Sequence, residues 1–176
     1  MNLIFDLDGT LIDSRLRLYK LFQHLVPTSK LTYQKYWAFK SEKVSNESIL
    51  AKEFNYDAVA INRFVSDWMD SIETPEFLVL DQNLPGMHAN LASLRERANL
   101  YVCTARQTRI PVVDQLERLN LLPYFDKILV TEQRQGKEEL VKTVPGLSSQ
   151  DWIIGDTGED IQVGQALYGE YCASCH

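Results

Sequence analysis

The first thirteen residues, Met1-Asn-Leu-Ile-Phe-Asp-Leu-Asp-Gly-Thr-Leu-Ile-Asp13, constrain the fold more than any other stretch of the chain. Between Asn2 and Phe5 nothing after Asn2 is polar, the pattern of a strand buried on both faces of a parallel sheet. That run delivers Asp6 and Asp8, two residues apart, into a turn opened by Gly9. Open α/β sheets bind ligands at the carboxyl ends of their strands, so this pair reads as a site rather than as ordinary surface charge. A carboxylate can attack phosphorus to form an acyl phosphate while a close neighbour moves protons. Two adjacent carboxylates also call for a cation to keep both ionised, and magnesium suits oxygen ligands shared with phosphate. The bland alternative is a strand-to-turn edge with two solvated aspartates.

Further parts of such a site belong at the ends of later strands. Leu100-Tyr-Val-Cys-Thr-Ala-Arg106 is an apolar run ending in a hydroxyl residue, ahead of a helix-like stretch from Val112 to Leu119. Asp151-Trp-Ile-Ile-Gly-Asp-Thr-Gly-Glu-Asp160 gives a short strand, a glycine turn, and Asp156 and Asp160 spaced into a helix start. Glu159 is the weaker partner there, because acidic residues in a first helical turn are common for dipole reasons alone. Lys137 begins a helical stretch 19 residues before Asp156. Lys142 is its runner-up, and Lys127 lies too close to the preceding strand.

These segments together resemble the haloacid dehalogenase superfamily, whose first motif stands complete as Asp6-Leu-Asp-Gly-Thr10 and whose fourth as Gly155-Asp-Thr-Gly-Glu-Asp160. The resemblance implies that Asp6 is the nucleophile and Asp8 the general acid and base, with the Asp8 backbone carbonyl on magnesium. It implies phosphate contacts from Thr104 and Lys137, with a further charge-assisted contact open to Arg106, which the family does not require. Asp156 would ligate the metal with Asp6 and Asp8, and Asp160 would act from behind them. A second aspartate two residues on is also the family's mark of phosphatases and mutases.

The chain is expected to form an α/β fold: a Rossmann-like parallel sheet core flanked by helices, residues 1–13 and 78–176, with an α-helical cap inserted at 14–77. Core strands are expected near Leu100 to Cys103, Lys127 to Thr131 and Trp152 to Gly155, and a core helix from His88 to Ala98. The insert reads as helices over Leu16 to Leu25, Thr32 to Lys40, Asn46 to Phe54 and Asp57 to Ser71, punctuated by Pro27 and Pro75. Its position resembles the small cap of phosphoglycolate-phosphatase-like members, which can close over the site, exclude water and choose the substrate. Tyr33, Tyr36, Trp37, Phe39 and Trp68 are expected to pack the cap's own core. Arg17, Lys40 and Lys43 are read as solvated helix charges, with a second substrate anion as the alternative.

The 176 residues are 45% apolar and carry a net charge of −6, which suits a globular enzyme and argues against general nucleic-acid or anionic-membrane binding. No apolar run approaches transmembrane length and the first strand begins at once, so a cytoplasmic location is expected. Cys103, Cys172 and Cys175 do not suggest a disulfide framework. Cys172-Ala-Ser-Cys-His176 matches the haem-attachment pattern of c-type cytochromes and could formally supply three zinc ligands, but no haem-binding fold or fourth ligand follows. A truncated terminal strand is the preferred reading of that tail.

The expected activity is magnesium-dependent hydrolysis of a small phosphorylated metabolite through an aspartyl phosphate, by a monomer or small homo-oligomer. Phosphomutase activity, a non-catalytic binding role and a haem-bearing electron carrier are the alternatives, in that order.

Overall fold

The computed structural model describes residues 1–155 together with 158, 160, 162 and 163. The roles expected of Asp156, Glu159, Cys172, Cys175 and His176 lie outside the described residues. The chain forms two compact units, one of residues 1–14 with 81 onward and one of residues 15–80.

In the first unit, four strands make a parallel sheet: β1 (Asn2–Phe5), β4 (Asn99–Thr104), β5 (Lys127–Val130) and β6 (Trp152–Ile154). Their order is β5-β4-β1-β6, which puts the apolar N-terminal run in the middle, as its composition requires. Alternate side chains serve alternate faces. Leu3, Phe5, Leu100, Val102, Ile128 and Val130 pack on one face with Leu91, Val112 and Leu116 from α6 (Met87–Arg95) and α7 (Arg109–Arg118). Ile4, Tyr101, Cys103, Leu129 and Ile153 pack on the other with Val141 of α8 (Lys137–Val141). Asn2, the one polar residue of β1, pins the register: Asp151 accepts from its backbone amide at 2.6 Å and from its side chain at 2.9 Å. A two-residue antiparallel pair, β2 (Ile12–Asp13) with β3 (Gln82–Asn83), is too short to show in a periodicity.

The second unit is helical: α1 (Arg15–Leu25), α2 (Tyr33–Ser41), α3 (Asn46–Phe54), α4 (Ala58–Ser71) and α5 (Pro75–Leu78). Thr32, Ser45 and Asp57 cap α2, α3 and α4, each accepting from a backbone amide three residues on. Phe22, Tyr36, Ile49, Leu50 and Phe64 form its core, and Tyr33, Trp37, Phe39 and Trp68 pack against them. Three sequence expectations change here. The boundary falls after Leu80, because Phe77 of α5 packs edge-on to His24 of α1. Arg17 is no solvated charge, being 2% exposed and donating to the Ile72 carbonyl at 2.9 Å. Lys40 is half-buried, and donates to the Val44 carbonyl at 3.1 Å. Among the described residues no helix is long and apolar enough to cross a membrane.

Candidate active site

The register aligns Phe5 with Val102 on one side and Ile154 on the other, so the chain leaving β1, β4 and β6 emerges at one edge of the sheet. The segment after β1 winds into a closed loop. The Leu7 carbonyl accepts from the amides of Leu11 at 3.0 Å and Ile12 at 3.1 Å, while Leu7, Leu11 and Ile12 are fully buried. Gly9 has φ of 83°, a left-handed conformation that explains glycine at this point of the turn.

Asp6 is 6% exposed, and its backbone amide donates to the Ile154 carbonyl at 2.8 Å. Lys137, distant in sequence and 5% exposed, donates through Nζ to Oδ1 of Asp6 at 2.8 Å and to Oδ1 of Asp160 at 2.7 Å. Its delivery depends on the turn after β5. Thr131 donates its amide to the Thr104 carbonyl at 3.0 Å and Glu132 to the Arg106 carbonyl at 3.1 Å. Glu132 and Gln133 have φ of 49° and 55°, an uncommon pair of left-handed non-glycine residues that these contacts hold in place. Thr104 is 2% exposed at the end of β4.

Burial pushes the Asp6 carboxyl up to about 6, against the opposing pull of Lys137. For Lys137 burial works against the charge, but Asp6 and Asp160 outweigh it and hold the ammonium above the ordinary lysine range. The Asp6 shift fixes a sign. Its folded value of about 6 lies above the ordinary aspartate value of 3.8, so between them the folded protein binds more protons than the unfolded chain. The Asp6 contribution to stability is therefore expected to fall by on the order of 2 to 3 kcal/mol as pH rises from about 4 to about 6. Urea unfolding of the metal-free protein across that range should show wild type losing ground to Asp6→Asn; parallel pH profiles would contradict this.

Asp8 is held by a second cation, Arg106. Arg106 grips it with both arms of a fork, Nε to Oδ2 at 2.6 Å and Nη2 to Oδ1 at 2.9 Å. Behind Arg106, Gln115 Oε1 accepts from Nη2 at 3.3 Å, and Gln115 Nε2 donates to Oδ2 of Asp81 at 2.6 Å. Arg106, Asp81 and Gln115 are 6%, 0% and 2% exposed. Two adjacent carboxylates call for an added cation on sequence grounds, yet the fold already sets a different side-chain cation against each. Arg106, expected as a phosphate contact, here faces Asp8. Asp81 and Gln115 carry no sequence signal, since nothing local marks a loop aspartate or a helix glutamine for complete burial.

Gly155 is expected as a turn former, but its constraint is space. A Cβ at this position would lie 2.2 Å from Asp160 Oδ2 and 2.7 Å from Asp160 Cβ. Gly155→Ala is therefore expected to displace Asp160, loosen Lys137 and lower turnover at least about tenfold, since misplacement of about 1 Å can cost far more. Steady-state rates alongside thermal unfolding would check it, and full activity would contradict the packing argument.

For magnesium, the groups at the end of β1 fit by chemistry: the Asp6 carboxylate and the Asp8 main-chain carbonyl are both hard oxygen donors. Among the described residues no group of three or more His, Cys, Asp or Glu is placed to hold a metal.

This is a layered α/β enzyme core carrying a helical insert, with carboxylates and a buried lysine gathered where its strands end. The model of the haloacid dehalogenase-like hydrolase family matches residues 3–173, and the chain belongs to that family. Solved structures agree on the fold. A Clostridium difficile protein provisionally named a phosphatase superposes with a TM-score of 0.77 at 18% identity, over 94% of this chain and 80% of that one. A Bacillus subtilis protein provisionally named a hydrolase of the same superfamily, in a magnesium-bound form, gives 0.63 at 24% identity, covering 95% and 83%. A Thermotoga maritima protein provisionally named a beta-phosphoglucomutase gives 0.66 at 17% identity, covering 94% and 81%. No curated protein matches the chain.

Proposed function

We propose that this hydrolase is a magnesium-dependent phosphatase acting on a small phosphate monoester through a phosphorylated Asp6. The observation that carries the reading is the buried pairing of Asp6 with Lys137 at 2.8 Å, within a chain that belongs to a hydrolase family. The lysine leaves Asp6 oriented at the sheet edge and keeps a positive charge where phosphoryl oxygens would gather charge.

In the proposed cycle an Asp6 oxygen attacks phosphorus in line, the bond from phosphorus to the ester oxygen breaks, and that oxygen takes a proton from Asp8. Water then attacks the aspartyl phosphate and gives a proton to Asp8, and the bond from phosphorus to Asp6 breaks to release inorganic phosphate. Thr104 offers its hydroxyl to a phosphoryl oxygen. Asp6, the Asp8 carbonyl and Asp156 would hold magnesium, which supplies Lewis-acid charge neutralisation when bound. Asp160, bonded to Lys137 at 2.7 Å, fixes the lysine.

A phosphomutase is the second reading, favoured by the fold shared with the Thermotoga maritima protein. Inorganic phosphate release from a panel of small phosphate esters, with and without magnesium, separates the two. Metal-dependent release supports the phosphatase. A sugar bisphosphate formed without free phosphate supports the mutase, and no turnover by folded protein refutes both.

A further inference from the structure

Beyond the assignment of Asp8 as the proton-transfer group, and resting on it, we infer that Arg106 is a positioning residue for Asp8, braced by Gln115 and Asp81. A free aspartate side chain rotates, and Asp8 is placed on a turn where its carboxylate is about a third exposed. Its fold-determined partner removes that freedom. Two parallel N–H contacts from Nε and Nη2 fix the plane of the carboxylate as well as its position, which a single-point cation would not do.

The fork is itself fixed. Gln115 accepts from Nη2 and donates to Asp81, and Asp81 Oδ2 lies 3.6 Å from the same Nη2. Arg118 donates to the Asp81 carbonyl at 3.0 Å, tying this brace to α7. Such an array is a poor device for stability. Desolvating a guanidinium and a carboxylate that is wholly buried costs about as much as their attraction returns, and an apolar set of the same volume often does as well. What the array supplies is orientation, carried from the packed helix α7 to the carboxylate of Asp8 at the strand end.

A residue acting through Asp8 leaves a signature that a merely structural one does not: its effect disappears when Asp8 is already disabled. The test is a double-mutant cycle on the full chain with magnesium, pairing Arg106→Lys with Asp8→Asn. It is read as kcat and KM with p-nitrophenyl phosphate, whose leaving group departs without a proton, so that Asp8 enters this turnover only where it takes the proton of the water attacking the aspartyl phosphate. Arg106→Lys keeps the charge and loses the fork. It is expected to lower kcat by on the order of tenfold or more in the wild-type background, with KM falling alongside because the slowed step follows the aspartyl phosphate, and to lower kcat by less than about twofold in the Asp8→Asn background.

An equal loss in both backgrounds, or no loss in either, overturns the inference while leaving the phosphatase reading intact. No turnover by wild type overturns both. Should Arg106→Lys fail to fold, Gln115→Met, which removes the brace and keeps the arginine, enters the same cycle with the same expectation.

Discussion

Replacing Lys137 with methionine is expected to lower the unfolding free energy by about 3 to 5 kcal/mol near neutral pH, the range seen when one partner of a buried ion pair is removed. Methionine fills the volume of the lysine stem, so a cavity contributes little to that loss. What remains is Asp6 and Asp160, 6% and 3% exposed, with their shared cation gone. Lys137 is also the leading influence holding the Asp6 carboxyl down, so its removal drives Asp6 further above its present value of about 6. Asp6 would then escape the penalty by taking a proton. The deficit should therefore shrink as pH falls toward about 5, because a raised carboxyl favours the fold on the acid side. The same proton blocks in-line attack, so turnover should fall with stability. Denaturant titration at two pH values checks the first point, and a deficit below about 1 kcal/mol, typical of exposed pairs, would contradict the burial argument.

Asp6→Asn makes the complementary prediction, with folding preserved and turnover lost. The amide oxygen can still accept from Lys137, and the change removes a buried charge that is costly above about pH 6. An amide is a poor nucleophile toward phosphorus, so magnesium-dependent phosphate release should drop by roughly three orders of magnitude or more. Stability should hold within about 1 kcal/mol of wild type in the absence of metal, or exceed it, since the burial that opposes the Asp6 charge outweighs the attraction of Lys137. Coincident loss of folding and activity would make Asp6 structural.

The sheet core was legible because its signal is local. Four residues of β1 without a polar interruption after Asn2, and the apolar run of β4, state their burial in the sequence. The helices of residues 15–80 were legible through apolar spacing and the punctuation at Pro27 and Pro75, while the structure adds their caps, Thr32, Ser45 and Asp57. Lys137 could be set above Lys142 by its spacing from the acidic turn; Lys142 pairs instead with Glu138 on an exposed helix face. The Asp8 network was not legible. Asp81 stands in a connection and Gln115 on a helix, and their complete burial follows only from how α7 packs against the sheet, which no local pattern encodes. The sequence marks Gly155 only as a turn former; the approach of Asp160 to its missing Cβ is not visible there.

The central claim is a covalent phosphate on Asp6, and acid quenching during turnover tests it most directly. Wild-type protein quenched with substrate and magnesium present should carry one phosphoryl group, labile to hydroxylamine, on the peptide containing Asp6, and Asp6→Asn should carry none. Turnover that persists in Asp6→Asn, or a phosphoryl group on a different residue, would contradict the account.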